Sequence, residues 1–176
     1  MRREALRAAE RAPPRGPHAR RPKAAIRRAT VADIPALVAL ENRTFSGDWL
    51  SPRSFRHLIL YGHAATLVEE WQGEIRGYAV VFFRRPSPTA RLYSFAVAPE
   101  HRGQGLAAAL LAAAECQALA HGCSTMRLEV RQDNPRAQAI YHKAGYRTFG
   151  SHAAYYDDGT DAVRMEKRLD REGAHA

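Results

Sequence analysis

The chain has 176 residues, 45% of them hydrophobic, and a formal net charge of +9. That length suits one domain with a real core, and no stretch approaches the roughly 18 apolar residues of a membrane span. Residues 1–25 hold eight Arg or Lys against two Glu, a net of +6, so the rest carries only +3, which argues against a strongly basic nucleic-acid-binding body.

The first segment, "MRREALRAAERAPPRGPHARRPKAA", is rich in Arg, Ala and Pro and poor in bulky apolar residues. Such a composition buries too little surface to offset its ordering entropy, so residues 1–25 are expected to be a disordered basic arm. A targeting role or contact with RNA is the other reading of that arm. It lacks the apolar run of a secretory signal. Residues 26–170 are expected to form the domain, and 171–176 a short tail.

"AIRRA" reads as a first strand. Thr30 and Asp33 make a capping-box pattern before "VADIPALVALENRTF", where Val31, Ile34, Leu37, Val38 and Leu40 give a helical stripe. Ser51 and Pro52 open a second helix, with Phe55, Leu58 and Ile59 on its buried side. "ATLVEEW", "EIRGYAVVFFRR" and "ARLYSFAV" follow at short spacing and read as an antiparallel meander. An alanine-rich helix runs from about Gly105 to His121 and stops at Gly122. "TMRLEV" is a strand. "NPRAQAIYHKAG" is a helix with Asn134 as cap, Pro135 in the first turn and Gly145 at its end. "YRTFGSHAAYY" and "DAVRMEKRL" are the last strands, joined by "DDGT". Cys116 and Cys123 have no metal-ligand companions and read as thiols of a reducing compartment, the cytoplasm. The eight histidines show no metal spacing.

The stretch "VAPEHRGQGLAAALLAAAE" carries the functional signal. A small-residue turn opens directly into a helix, where unpaired N–H groups and the positive end of the dipole suit a phosphate. Gly103, Gly105 and Ala108 satisfy G-x-G-x-x-A, and Glu129 lies about where a dinucleotide-binding fingerprint places its acid. Against that reading, "APEHR" separates strand from glycine, the preceding strands form a meander without crossover helices, and Glu129 lies inside its strand.

The same turn satisfies R/Q-x-x-G-x-G/A through Arg102, Gly105 and Ala107. With this element order, the chain from about Ile26 to Leu169 resembles the GNAT family of N-acetyltransferases. "LEVRQDNPRAQAIYHKAGYRTFG" is similar to the corresponding segment of the ribosomal-protein alanine N-acetyltransferases, through Leu128, Glu129, Val130, Arg131, Asn134, Tyr141 and Gly145. The resemblance implies an α/β (α+β) GNAT fold: a mixed, mostly antiparallel sheet of six to seven strands flanked by about four helices. It implies an enzyme that uses acetyl-CoA to acetylate a primary amine, with a protein or peptide N-terminus as the leading acceptor. A small amine, a lysine side chain or a non-catalytic acyl-CoA sensor are the alternatives.

The resemblance also assigns roles. Arg102, Gly103, Gln104, Gly105, Leu106 and Ala107 would hold the pyrophosphate of acetyl-CoA. Phe95, Ala96 and Val97 would line the pantetheine, the Val97 amide facing the thioester carbonyl, and Asn134 would touch the coenzyme. Glu129 is the candidate base, in an apolar strand where desolvation favours proton uptake; the alternative is a structural glutamate paired with an arginine on a neighbouring strand. Tyr141 is the candidate acid, or a packing tyrosine. Glu41, Phe45, Trp49, Tyr155 and Tyr156 are candidate acceptor-groove residues, and the acidic "DDGTD" is a candidate attractor of a cationic amine. No metal, no membrane and no nucleic acid apart from the arm's contacts are expected, in a monomer or homodimer.

Overall fold

A computed structural model describes residues 24–47, 49–84 and 86–170; the basic arm up to residue 23 and the tail 171–176 lie outside the described residues. One seven-stranded sheet organises the chain. Its strands are β1 (Ala25–Arg28), β2 (Ala64–Trp71), β3 (Glu74–Phe83), β4 (Thr89–Val97), β5 (Thr125–Arg131), β6 (Arg147–His152) and β7 (Ala162–Arg168), in the spatial order β1-β2-β3-β4-β5-β7-β6. The β4–β5 pair is parallel and the other neighbours are antiparallel. The helices are α1 (Ile34–Thr44), α2 (Pro52–Leu60), α3 (Leu106–Ala120) and α4 (Pro135–Lys143). This is the element order and mixed sheet expected from the sequence.

Each face of the sheet carries its own core. Leu37, Leu40, Phe55 and Leu58 of α1 and α2 pack on Val68, Tyr78 and Val80. Leu106, Leu110, Leu111, Ala114 and Ala118 of α3 pack on Leu67, Ala79, Val81 and Leu92 on the other side. Fully buried leucines such as Leu110 and Leu111 contribute on the order of 1.5–3 kcal/mol each. Alanine favours the helix and keeps α3 slim, so it lies close to the strands. Gly77 completes that approach: a Cβ there would stand 2.8 Å from Leu110 Cδ1.

The caps follow the sequence closely. Ser51 Oγ accepts from Ser54 N at 3.0 Å, and Asn134 Oδ1 accepts from Ala137 N at 3.0 Å. Thr30 N donates to Asp33 Oδ2 at 2.7 Å, opening a short 3-10 turn ahead of α1. At the end of α4, Gly145 takes φ +94°. Its N–H reaches His142 O at 3.0 Å, and Tyr146 N reaches Tyr141 O at 3.0 Å, a Schellman closure. The structure corrects the length of β6, expected to run on through "HAAYY": it stops at His152, and Ala154 adopts φ 46° in the following turn.

A bulge and a parting of strands shape the centre of the sheet. Val80 pairs with Ser94 and Val81 with Leu92, which leaves Tyr93 as an extra residue in β4. The insertion shifts the alternation of side chains. Leu92 and Val97 therefore face the same α3-side core although five positions separate them. On the other edge, β4 pairs with β5 only from Thr89–Thr125 to Leu92–Leu128. Beyond those leucines the strands separate.

Candidate active site

The gap between the parted strands is lined by main chain on the β4 side. Ala98 N donates to Arg76 O at 2.8 Å, so it points toward β3. Successive residues of a strand turn their N–H and C=O to opposite edges. Ala96 therefore bonds toward β3, while Phe95 and Val97 present their amides and carbonyls to the gap. Arg102 Nε donates to Val97 O at 3.4 Å from the gap side, consistent with that alternation.

The glycine turn lies directly after β4. Gly103 and Gly105 take φ +79° and +81°, the left-handed region that L side chains resist. A Cβ built on either would meet nothing within 4 Å among the described residues, so their packing does not demand glycine there; the backbone turn does, and it leaves the main chain bare. Gly105 caps α3 without any side-chain hydrogen bond to the helix start. Ala109 N makes the first helical bond, to Gly105 O, so the N–H groups of Leu106, Ala107 and Ala108 remain for a ligand. This donor set, with Arg102 at its rim, suits a diphosphate. Gln104 is exposed on the same turn. Asn134 uses its side-chain oxygen on its own helix.

Tyr141 sits at the other wall of the gap. It is 9% exposed, and its ring lies edge-on to Phe95 at 6.2 Å and to Tyr146 at 5.9 Å. The Schellman bond to its carbonyl fixes its backbone. Its hydroxyl makes no hydrogen bond among the described residues. Burial, and then the neighbouring Tyr156, push that hydroxyl well above the ordinary tyrosine range. It stays protonated at neutral pH, the form an acid requires.

Glu129 is the first residue of β5 past the last β4 pair. Met126, Leu128 and Val130 point into the α3-side core, so Glu129 shares the opposite face with Arg127 and Arg131. Its surroundings differ from the apolar strand expected. Arg91 Nε of β4 donates to Glu129 Oε2 at 2.9 Å, and Arg164 Nε of β7 lies 3.9 Å from Oε1. The cross-strand arginine contact considered from the sequence is thus present. The Glu129 side chain is 15% exposed.

Aromatic residues stand near both candidates. Arg91 also donates to the Tyr155 hydroxyl. Tyr155 and Tyr156 stand edge to face at 5.1 Å, and Tyr156 neighbours Tyr141. Glu129, Arg91, Tyr155 and Tyr156 thus form one run of contacts on the face opposite α3, while Tyr141 belongs to the α3-side core. Arg131 holds the loop that carries the two tyrosines: it donates to Asp158 Oδ2 at 2.7 Å and Thr160 Oγ1 at 2.8 Å, and stacks on Tyr156 at 4.8 Å. Asp161 accepts from Ala154 N at 2.8 Å. Two carboxylates of the "DDGTD" loop are therefore committed to shaping it, not left open to an amine.

Glu41, expected in the acceptor groove, lies beneath it. It is 1% exposed and accepts hydrogen bonds from the Tyr78 hydroxyl, from Ser94 Oγ at 3.5 Å and from Leu50 N at 3.3 Å. Burial pushes its carboxyl above the usual range against the pull of these donors. It ties the α1–α2 loop to β4 just after the Tyr93 bulge. Phe45 packs partly into the same core, and Trp49 is 55% exposed with its Nε1 donating to Phe45 O at 2.9 Å. Sequence reasoning missed Tyr78, Ser94, Arg91 and Arg164. Arg91 was visible as a charged residue inside a strand, but its partner depends on cross-strand register.

Comparison with known proteins agrees with this geometry. The model of the acetyltransferase (GNAT) family matches residues 34–146, well over half of the chain. The chain is 31% identical over 144 residues to the putative ribosomal protein bS18-alanine N-acetyltransferase of Bacillus subtilis, covering 81% of this chain and 94% of that protein. Among solved structures, the ribosomal-protein-S18-alanine N-acetyltransferase from Escherichia coli superposes with a TM-score of 0.75 at 25% identity, over 88% of this chain and 99% of that one. Ard1 from Thermoplasma volcanium shares the fold, with a TM-score of 0.78 at 24% identity over 84% of this chain and 99% of that one. With its parted strands and bare glycine turn, the chain belongs to the GNAT family of acetyl-CoA-dependent N-acetyltransferases.

Proposed function

We propose that this enzyme acetylates the N-terminal amine of a protein or peptide, with Glu129 as base and Tyr141 as acid. The observation that carries the reading is the placement of Glu129 immediately past the Leu92–Leu128 pair, on the open face of the sheet, with Tyr141 across the gap. Acetyl-CoA supplies the acetyl group as a thioester. The amides of Leu106, Ala107 and Ala108 and the side chain of Arg102 would hold its diphosphate. The Phe95 and Val97 main chain would hold the pantetheine arm, with the Val97 N–H directed at the thioester oxygen. Asn134, at the start of α4, would touch the coenzyme.

An α-amine has a pKa of about 8, so much of it is protonated at neutral pH. Glu129 accepts that proton, directly or through a water, and frees the lone pair for attack. Arg91 and Arg164 keep its carboxylate oriented toward the opening. Tyr141 donates a proton to the departing thiolate. Phe45, Trp49, Tyr155 and Tyr156 would border the acceptor, and Glu41 would act from below by holding the loop that carries Trp49. The related bS18-alanine N-acetyltransferase supports a protein N-terminus as the acceptor class. A panel of free N-terminal peptides, polyamines and amino acids, read by thiol release, tests the assignment. Turnover confined to polyamines or free amino acids would refute it.

A further inference from the structure

A groove of about 670 Å³ lies on the open face of the sheet and has Glu129 in its lining. Its walls carry Arg84, Arg91, Arg127 and Arg164, and Glu129 is the one carboxylate among the described lining residues. Arg91 is bonded to Glu129 and Arg127 to Glu166, each at 2.9 Å. The remaining charge is less well matched. Arg84 has no ion pair among the described residues, and Arg164 has only the 3.9 Å approach to Glu129. Arg127 and Arg164 stack on one ring, Phe149, at 4.8 and 4.7 Å. That ring is itself 37% exposed, so it holds the two guanidiniums near the surface, where Nε of Arg127 serves Glu166 and the terminal nitrogens lie within reach of an anion.

The order of charge along the groove is informative. Along β5 the lining runs from Arg127, beside Arg91, to Glu129, beside Arg164, so the carboxylate stands at the end nearer the gap and suits an ammonium. The rest offers guanidiniums in excess and suits anions. A nucleic-acid backbone would meet repulsion at Glu129, whereas a chain that begins with an amine and continues with carboxylates matches both ends. The volume is several times that of one residue, which favours a peptide over a free amino acid. We propose that the Arg84–Arg164 groove selects acceptors whose residues just after the N-terminal amine are acidic. This rests on the reading of Glu129 as the site that receives the amine.

The test uses the full chain, acetyl-CoA and peptides of equal length that begin with Ala and carry Glu, Gln or Lys at the next three positions, with free glutamate and a short RNA as further arms. The acidic peptide is expected to show a KM about tenfold below the Gln peptide at low salt, with the gap narrowing as salt screens the groove. The Lys peptide is expected to be the poorest. R84Q with R127Q should raise the acidic peptide's KM far more than the Gln peptide's. Equal KM values, or a preference for Gln or Lys, would overturn the proposal while leaving peptide acetylation intact. Turnover of free glutamate alone, or of no α-amine, would overturn both. RNA binding that these substitutions abolish, without any acidic-peptide preference, would reassign the groove to nucleic acid and overturn it as well.

Discussion

Leu92 and Leu128 form the last pair between β4 and β5, and the site is built on what that ending exposes. Before the pair, parallel strands satisfy one another. After it, Phe95 and Val97 turn their main-chain groups to the gap, where Arg102 reaches the Val97 carbonyl, and Glu129 emerges on the open face. The glycine turn follows β4 by a few residues, so the diphosphate cradle and the gap are fixed to one strand. Tyr141 closes the far wall because a Schellman bond anchors the end of α4.

The turn itself yields the first prediction. Gly105 sits at φ +81°. Replacing it with Ala imposes the left-handed penalty of about 1–2 kcal/mol, or shifts the helix start. G105A should lower the stability measured by urea denaturation by about that much. It should also weaken coenzyme A binding, about tenfold in a calorimetric titration, since the α3 amides move. Unchanged stability together with unchanged affinity would show that the turn does not need its conformation.

Gly77 tests the packing beneath the site. A methyl there meets Leu110 Cδ1 at 2.8 Å and Ala96 O at 3.0 Å. Leucine can turn away, but the carbonyl belongs to the strand that lines the gap. G77A should destabilise the fold by about 1–3 kcal/mol, as overpacked cores do. Thermal unfolding at matched pH measures it.

Glu41 should leave a signature in stability against pH. Burial raises its folded pKa above the ordinary value, so the native state holds the proton more tightly than the unfolded chain. Where the native state binds more protons, stability falls as pH rises. The contribution is therefore present below the usual glutamate range, about pH 4.3, and is lost upward through the raised folded pKa. E41Q should flatten that descending limb in denaturation curves taken across the acidic range. A limb of the same slope in the variant would place its origin elsewhere.

Much of this was legible in the residues because it depends on local chemistry. Ser51, Asn134 and Gly145 act where their side chains or φ angles require. Gly103 and Gly105 announce a bare turn for the same reason. The bulge at Tyr93 was not legible, since nothing in "ARLYSFAV" marks the residue that β3 will skip. Nor were the arginines around Glu129. Arg91 and Arg164 come from two other strands, and only the register brings them together. Glu41 reads as an acceptor-groove acid, yet the fold buries it because Tyr78 and Ser94 supply donors from distant strands. The early end of β6 reflects an alanine at positive φ, which its residue type does not signal.

The most direct test compares thiol release by the wild type, E129Q and Y141F on a free N-terminal peptide, with coenzyme A affinity measured for each. General acid–base groups contribute about 10²–10⁴-fold, so each variant should lose at least 100-fold in kcat while binding coenzyme A within about twofold of the wild type. Undiminished kcat in E129Q would show that the carboxylate beside Arg91 serves the sheet and not the reaction.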